Sequence, residues 1–211
     1  MKENKLINEL KEQIARQKPG KISHKKMAPT HKGNYYRSFN PPHDARESGV
    51  LIPLIFDDDE LKIIFTLRSA ALKHHSRQIS FPGGAREDNE NLRQTALRET
   101  WEEIGIDDNK IEILGELSPL YVPPSRSVVH PFVGYIPDLP PFEINYDEVE
   151  EVMIMPVEKF LGKQSFRKEI WDISGMEVDV PFWDIEHEVP LWGATAMILR
   201  EFLDIYEDVS F

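Results

Sequence analysis

Three glutamates constrain this chain more than any other feature. Glu99, Glu102 and Glu103 stand at i, i+3 and i+4 within residues 91–104, where Leu92, Ala96, Thr100 and Ile104 recur at helical spacing. At about 3.6 residues per turn the carboxylates share one sector of a helix, and the second set marks its buried stripe. Like charges crowded in this way repel, and a hard divalent cation with oxygen ligands turns the repulsion into a binding site. An arbitrary Glu-x-x-Glu-Glu run is an ordinary solvated face. This one has particular surroundings. Gly83-Gly84 upstream lets main chain approach closely, so a carbonyl there can complete a coordination sphere. Arg98 can hold a carboxylate by a bidentate contact. Asp88 or Asn89 can cap the helix start and Gly105 can end it.

The rest of the chain supplies strands around this helix. Residues 49–56 and 61–67 are β-rich runs separated by Asp57-Asp58-Asp59-Glu60, a hairpin signal, and 79–81 is a short strand ending at Pro82-Gly83-Gly84. Further strands are predicted at 111–117, 127–136, 149–155, 168–173 and 177–183, and a closing helix over 192–205. Leu6, Ile7, Leu10 and Ile14 place an amphipathic helix over 4–17, stopped by Pro19-Gly20. Residues 18–46 show no period and are predicted to be an extended arm wrapped on the body. Mixed strands with two principal helices imply an α/β sandwich around a mixed sheet. The expected organisation is an N-terminal basic helix and arm, 1–46, followed by one domain, 47–211.

Composition narrows the chemistry. Zero cysteines exclude disulfides, a thiol nucleophile, iron–sulfur ligation and Cys-based zinc. A net charge of −12 argues against wrapping nucleic acid, because that affinity rests on Lys and Arg neutralising phosphates. The charge is uneven: residues 1–46 carry 11 Lys/Arg against four Asp/Glu, a net of +7, which leaves −19 on the remainder. No apolar run approaches the ~20 residues of a membrane span. Residues 1–17 lack the apolar block of a secretory signal, and the last residues form no peroxisomal address, so the cytoplasm is the expected location.

From Gly84 the sequence reads five residues, Glu90, seven residues, then Arg98-Glu99-Thr100-Trp101-Glu102-Glu103-Ile104-Gly105-Ile106. This resembles the signature of the Nudix hydrolases. The resemblance implies an α/β/α sandwich and hydrolysis of a pyrophosphate with Mg²⁺ or Mn²⁺. It implies that Glu99, Glu102, Glu103 and the Gly83 carbonyl bind the metal, with Arg98 beside them. The general base varies across this superfamily: Glu99 is the first candidate, and Glu148 and Glu151 are the candidates on a later loop.

The stretch Thr66-Leu67-Arg68-Ser69, leading through Lys73 and Arg77 to Phe81-Pro82-Gly83-Gly84, is similar to the extra motif of the coenzyme A pyrophosphatase branch. Lys73 stands where that branch has arginine and loses bidentate geometry. Arg77 stands where it has glycine, and a glycine there can serve a backbone angle that arginine adopts only at a cost. Val50–Leu54, Pro131–Gly134, Glu148–Val152 and Leu191–Ala196 support the same branch, so the resemblance covers about residues 45–205.

It implies cleavage of coenzyme A or acyl-coenzyme A to (acyl-)4′-phosphopantetheine and adenosine 3′,5′-bisphosphate. Arg68, Lys73 and Arg77 are then candidates for substrate binding, because an acidic protein must supply local positive charge to admit these phosphates. The expected partner is this small nucleotide substrate, with neither membrane nor nucleic acid, and a second copy of the chain is a candidate. His74-His75 is a weaker pair, since adjacent side chains point apart, and Tyr35-Tyr36 and Phe182-Trp183 read as packing before base stacking. Two rival readings stand beside this one. The first is hydrolysis of ADP-ribose, a dinucleotide polyphosphate or an oxidised nucleotide. The second is a non-catalytic module whose basic arm engages RNA or a protein, a role that gives three crowded glutamates no purpose.

Overall fold

The computed structural model describes residues 2–70 and 77–209. Helices α1 (Lys2–Arg16) and α2 (Lys21–Lys26) precede a miniature hairpin of β1 (Thr30–His31) and β2 (Asn34–Tyr35). Next come β3 (Arg46–Asp57), β4 (Glu60–Arg68), β5 (Ile79–Ser80), β6 (Gly83–Ala85) and helix α3 (Leu92–Ile104). Strands β7 (Glu112–Glu116), β8 (Leu120–Val122), β9 (Ser127–Tyr135) and β10 (Val149–Pro156) lead to the single turn α4 (Glu158–Leu161). The chain closes with β11 (Phe166–Ile173), β12 (Met176–Trp183), β13 (Leu191–Trp192) and helix α5 (Gly193–Tyr206).

The central sheet runs β10-β4-β3-β9-β7, with β5, β6 and β8 pairing β4, β3 and β9. Strands β3 and β9 are parallel, and the other pairs are antiparallel, so the sheet is mixed. A second, antiparallel sheet runs β11-β12-β1-β2 with β13 on β12. Strands β3 and β4 are apolar almost throughout because both faces of the sheet are covered. Leu51, Ile55 and Ile64 pack with Ala96, Leu97 and Ile104 of α3. Ile52, Leu54, Ile63 and Phe65 face the other way, into a core shared with Leu10 and Ile14 of α1 and Phe202 and Leu203 of α5. The result is the expected α/β/α sandwich. Asp58 and Asp59 both adopt positive φ, 53° and 62°, as a two-residue hairpin turn requires.

The structure corrects several expectations. The arm is not simply extended, since it contains α2 and the β1–β2 hairpin. A helix of six residues is too short to persist alone and too short to show a period. Tertiary contacts hold it: the Ser23 hydroxyl bonds Asp204, Lys26 pairs with Asp204 at 2.7 Å, and His24 Nε2 lies 2.9 Å from Glu201. Helix α3 is capped by Asn91 rather than Asp88 or Asn89. Its side chain accepts from the Gln94 N–H at 3.0 Å while the Gln94 side chain accepts from the Asn91 N–H at 2.9 Å, a reciprocal box. Gly105 ends the helix at φ 76°, as expected. Strands β8 and β13 and helix α4 were not anticipated, being too short for periodicity to register.

Part of the basic surplus of the N-terminal segment is paired with the acidic body. Lys11 pairs with Glu112 at 2.5 Å and Lys18 with Glu116 at 2.7 Å. Beneath them Glu201 is fully buried and accepts from the Gly20 and Ser118 N–H groups at 3.0 and 3.2 Å as well as meeting His24. Burial alone would push this carboxyl up, but these bonds hold it below its ordinary value. Glu201→Ala would orphan the Gly20 and Ser118 N–H groups and the buried His24 imidazole. It is expected to cost about 3–5 kcal/mol in urea denaturation, and an unchanged midpoint would show that this pair does not anchor the segment.

Candidate active site

Helix α3 delivers its acidic sector to Gly84 of β6 and to Arg68 at the end of β4. Glu103 is fully buried there. Glu99 lies directly against the glycine strand: a Cβ on Gly84 would sit 2.2 Å from Glu99 Oε1. The third member arrives from a distant loop. The Glu143 and Asn145 N–H groups donate to the terminal carbonyls of α3, Ile104 and Glu103, at 3.1 and 3.0 Å, and the Ser69 N–H donates to the Glu148 carbonyl at 2.8 Å. These backbone bonds satisfy carbonyls that any helix end leaves open. They also carry Glu148 over Glu103, so that carboxylate oxygens of Glu99, Glu103 and Glu148 lie within 4.8 Å of one another.

Arg98 organises the approach. Its Nε and Nη2 donate to both oxygens of Glu90, each at 3.0 Å, while Nη1 bridges Glu99 at 3.0 Å and Glu102 at 2.8 Å. Its bidentate partner is therefore Glu90, whose carboxyl is held down to about 2, chiefly by this guanidinium. Glu102 is more exposed and is turned to Arg98, outside the trio. Arg68 Nη1 donates to Glu103 at 3.2 Å. Gly83, expected to offer a carbonyl, presents its N–H to Glu103.

The remaining expected residues fall elsewhere. Glu151 is exposed, 3.5 Å from His187 Nε2, and does not join the trio. Arg77 adopts φ 53°, the left-handed backbone that favours glycine, and its guanidinium pairs with Glu188 and, at 3.8 Å, with Glu150. Lys73 and His74-His75 lie outside the described residues. Trp183 is core, Phe182 packs on Trp171, and Tyr35 meets Phe39 edge-on, so these rings serve packing. On the β6 side of the trio opens a cleft of about 440 Å³ that touches Gly84, Phe81, Trp192, Arg68, Arg37 and Arg46. Sequence reading missed the last two, because nothing in local spacing tells where a residue of an aperiodic segment will dock. A second opening of about 370 Å³ reaches Trp101, Glu102 and Glu148.

Burial pushes the Glu103 carboxyl up to about 8, with Glu99 and Glu148 adding to it and Arg68 opposing. Burial raises Glu99 as well, against Arg98. Glu103 Oε2 is buried with no hydrogen-bond partner among the described residues. Converging hard oxygen donors with an orphaned buried oxygen among them fit a divalent cation.

The NUDIX domain profile matches residues 45–173. The chain belongs to the NUDIX family. Nudix hydrolase 3 of Caenorhabditis elegans is 32% identical over 173 residues, covering 74% of this chain and 71% of that protein. The peroxisomal coenzyme A diphosphatase NUDT7 of Mus musculus is 37% identical over 119 residues, 56% of this chain and 50% of that protein. The solved structure of a MutT/nudix family protein from Enterococcus faecalis shares the fold with a TM-score of 0.56 at 18% identity, covering 82% of this chain and 66% of that one. In this Nudix domain the α/β/α frame is what the resemblance implied, and the family match supports the pyrophosphohydrolase class. Among the described residues no helix is long and apolar enough to cross a membrane.

Two outcomes are expected. Because the folded-state value of Glu103 is raised from 4.5 to about 8, the metal-free fold favours its protonated form. That contribution is complete below about pH 4.5 and is lost as pH rises through about 8. Glu103→Gln should flatten this decline in melting temperature and abolish the rise that divalent cations give the parent at pH 8. A variant whose pH profile overlays the parent's contradicts the assignment. Gly84→Ala should displace Glu99 and weaken cation binding about 10–100-fold by calorimetry. Gly162→Ala, where a Cβ meets no atom closer than 3.9 Å, should leave it unchanged.

Proposed function

We propose that this Nudix hydrolase cleaves the pyrophosphate of coenzyme A or its thioesters, with Mg²⁺ or Mn²⁺ as cofactor. The convergence of Glu99, Glu103 and Glu148 within 4.8 Å, at the edge of a cleft lined with arginine, carries the reaction class. Coenzyme A is favoured over other nucleoside diphosphate derivatives by the Thr66–Gly84 motif and by the coenzyme A diphosphatases among the relatives. The pairing of Lys11, Lys18 and Lys26 within the chain leaves less free charge for the reading as a binding module.

A bound divalent ion supplies charge neutralisation on the phosphoryl oxygens and acidifies water. Glu99 and Glu103 would hold it, with the main chain of Gly83 alongside. Arg98, tied to Glu90, fixes Glu99 and keeps Glu102 at hand. Glu148 takes the proton of the attacking water. Glu99, the first candidate for that task, is held between Arg98 and Gly84. Glu148 sits at the mouth of the outer opening and receives one neutral donor, Asn145 Nδ2 at 3.3 Å. The water oxygen bonds to one phosphorus, the bond from that phosphorus to the bridging oxygen breaks, and the second phosphate leaves with the bridging oxygen.

Incubation with coenzyme A and Mg²⁺ or Mn²⁺ is expected to give 4′-phosphopantetheine and adenosine 3′,5′-bisphosphate by mass analysis. Survival of coenzyme A while ADP-ribose or a dinucleotide polyphosphate is cut would overturn the substrate and leave the reaction class. Glu148→Gln should lower kcat by about 10²–10⁴ with cation affinity retained, whereas Glu103→Gln should lose both. Equal loss of cation affinity in the two variants would remove Glu148 from the role of base.

A further inference from the structure

We infer that the 440 Å³ cleft receives the nucleoside half of the substrate, and that Arg37 and Arg46 read a phosphate carried on its ribose. The inference deepens the reading above and rests on it. Its starting point is a contrast of charge. The chain carries a net −12, yet this cleft is lined by Arg37, Arg46 and Arg68 and by no aspartate or glutamate. Arg68 is occupied with Glu103. Neither of the other two has a carboxylate partner among the described residues. Arg37 lies over the Tyr36 ring at 5.2 Å, and Arg46 Nη2 donates to the Ser125 carbonyl at 2.8 Å, a neutral partner that aims the side chain without quenching its charge.

Elsewhere the protein does quench such groups: Arg126 is paired with Asp44 and Arg86 with Glu47. Two unquenched guanidiniums on one concave surface make an anion site, and their fork geometry suits phosphate oxygens. Because the cleft also touches Gly83 and Gly84 beside the trio, an anion held there is part of the molecule being cut.

Chemistry decides which half of the molecule this is. The pantetheine arm and its thioester are uncharged and give two cations nothing to bind. A nucleoside 3′-phosphate brings additional negative charge. The main cleft also has room for the base, with Trp192 on its wall. The neighbouring aromatic cavity by Tyr36 and Met197 measures about 60 Å³, room for roughly two waters and not for a purine. Arg37 comes from outside the segment that matches the family, residues 45–173, so the N-terminal segment contributes directly to substrate choice.

Equilibrium binding to the metal-free full chain tests this without catalysis. By calorimetry the parent is expected to bind adenosine 3′,5′-bisphosphate at least about tenfold more tightly than adenosine 5′-monophosphate. Arg37→Gln and Arg46→Gln should each erase most of that preference while affinity for the monophosphate holds, and Arg126→Gln should leave both affinities unchanged. Equal affinities in the parent, a preference surviving the double substitution, or parallel loss of both ligands would overturn the site. Preference for the bisphosphate without coenzyme A hydrolysis overturns the proposed reaction alone. Hydrolysis without the preference overturns this site alone.

Discussion

Crowded negative charge at the buried end of α3 is the constraint to which the surrounding structure responds. Glu103 is fully buried, shares its space with Glu99 and Glu148, and meets one guanidinium, that of Arg68. Burying a carboxylate without full compensation is costly, so the group resists ionisation and its carboxyl rises to about 8. The divalent cation proposed for this site would offset that cost. The same burial that penalises the charged trio would strengthen every interaction between these carboxylates and an ion, since little water screens them.

Two features keep the trio from flying apart. Arg98 is anchored on Glu90 and spans Glu99 and Glu102, so the charge on the outer side of the helix is partly balanced by a rigid, multiply bonded cation. The backbone does the rest. Loop N–H groups of Glu143 and Asn145 close the open end of α3, and Gly84 leaves the space that Glu99 fills. The main-chain bonds and the missing side chain do not depend on the charge state of the site, whereas the pairs made by Arg98 and Arg68 do.

Arg77 shows how a sequence departure is read physically. The position takes φ 53° and is followed by a hydrogen-bonded return of the chain onto β4, the Arg77 N–H donating to the Arg68 carbonyl at 3.0 Å. The angle that a glycine would adopt freely is therefore retained, at the strain an arginine bears there. Its guanidinium, turned to Glu188 and Glu150, contributes a surface pair instead of a lining to the cleft. The N-terminal segment runs the other way. Three of its lysines, Lys11, Lys18 and Lys26, are counter-charges for Glu112, Glu116 and Asp204 of the same chain.

What could be read from the sequence alone was whatever repeats locally. The period of α1, α3 and α5, the alternation and apolar runs of β3, β4 and β9, and the i, i+3, i+4 placement of Glu99, Glu102 and Glu103 depend on neighbours a few residues apart. Those fixed the sandwich and the acidic helix. The choice of Glu148 over Glu151, the turning of Glu102 to Arg98, the coiling of residues 21–26 and the docking of Arg37 and Arg46 beside the glycine strand were decided by tertiary structure. Glu148, residues 21–26 and Arg46 are held by bonds to segments remote in the chain, and such pairings leave no period behind for a sequence to display.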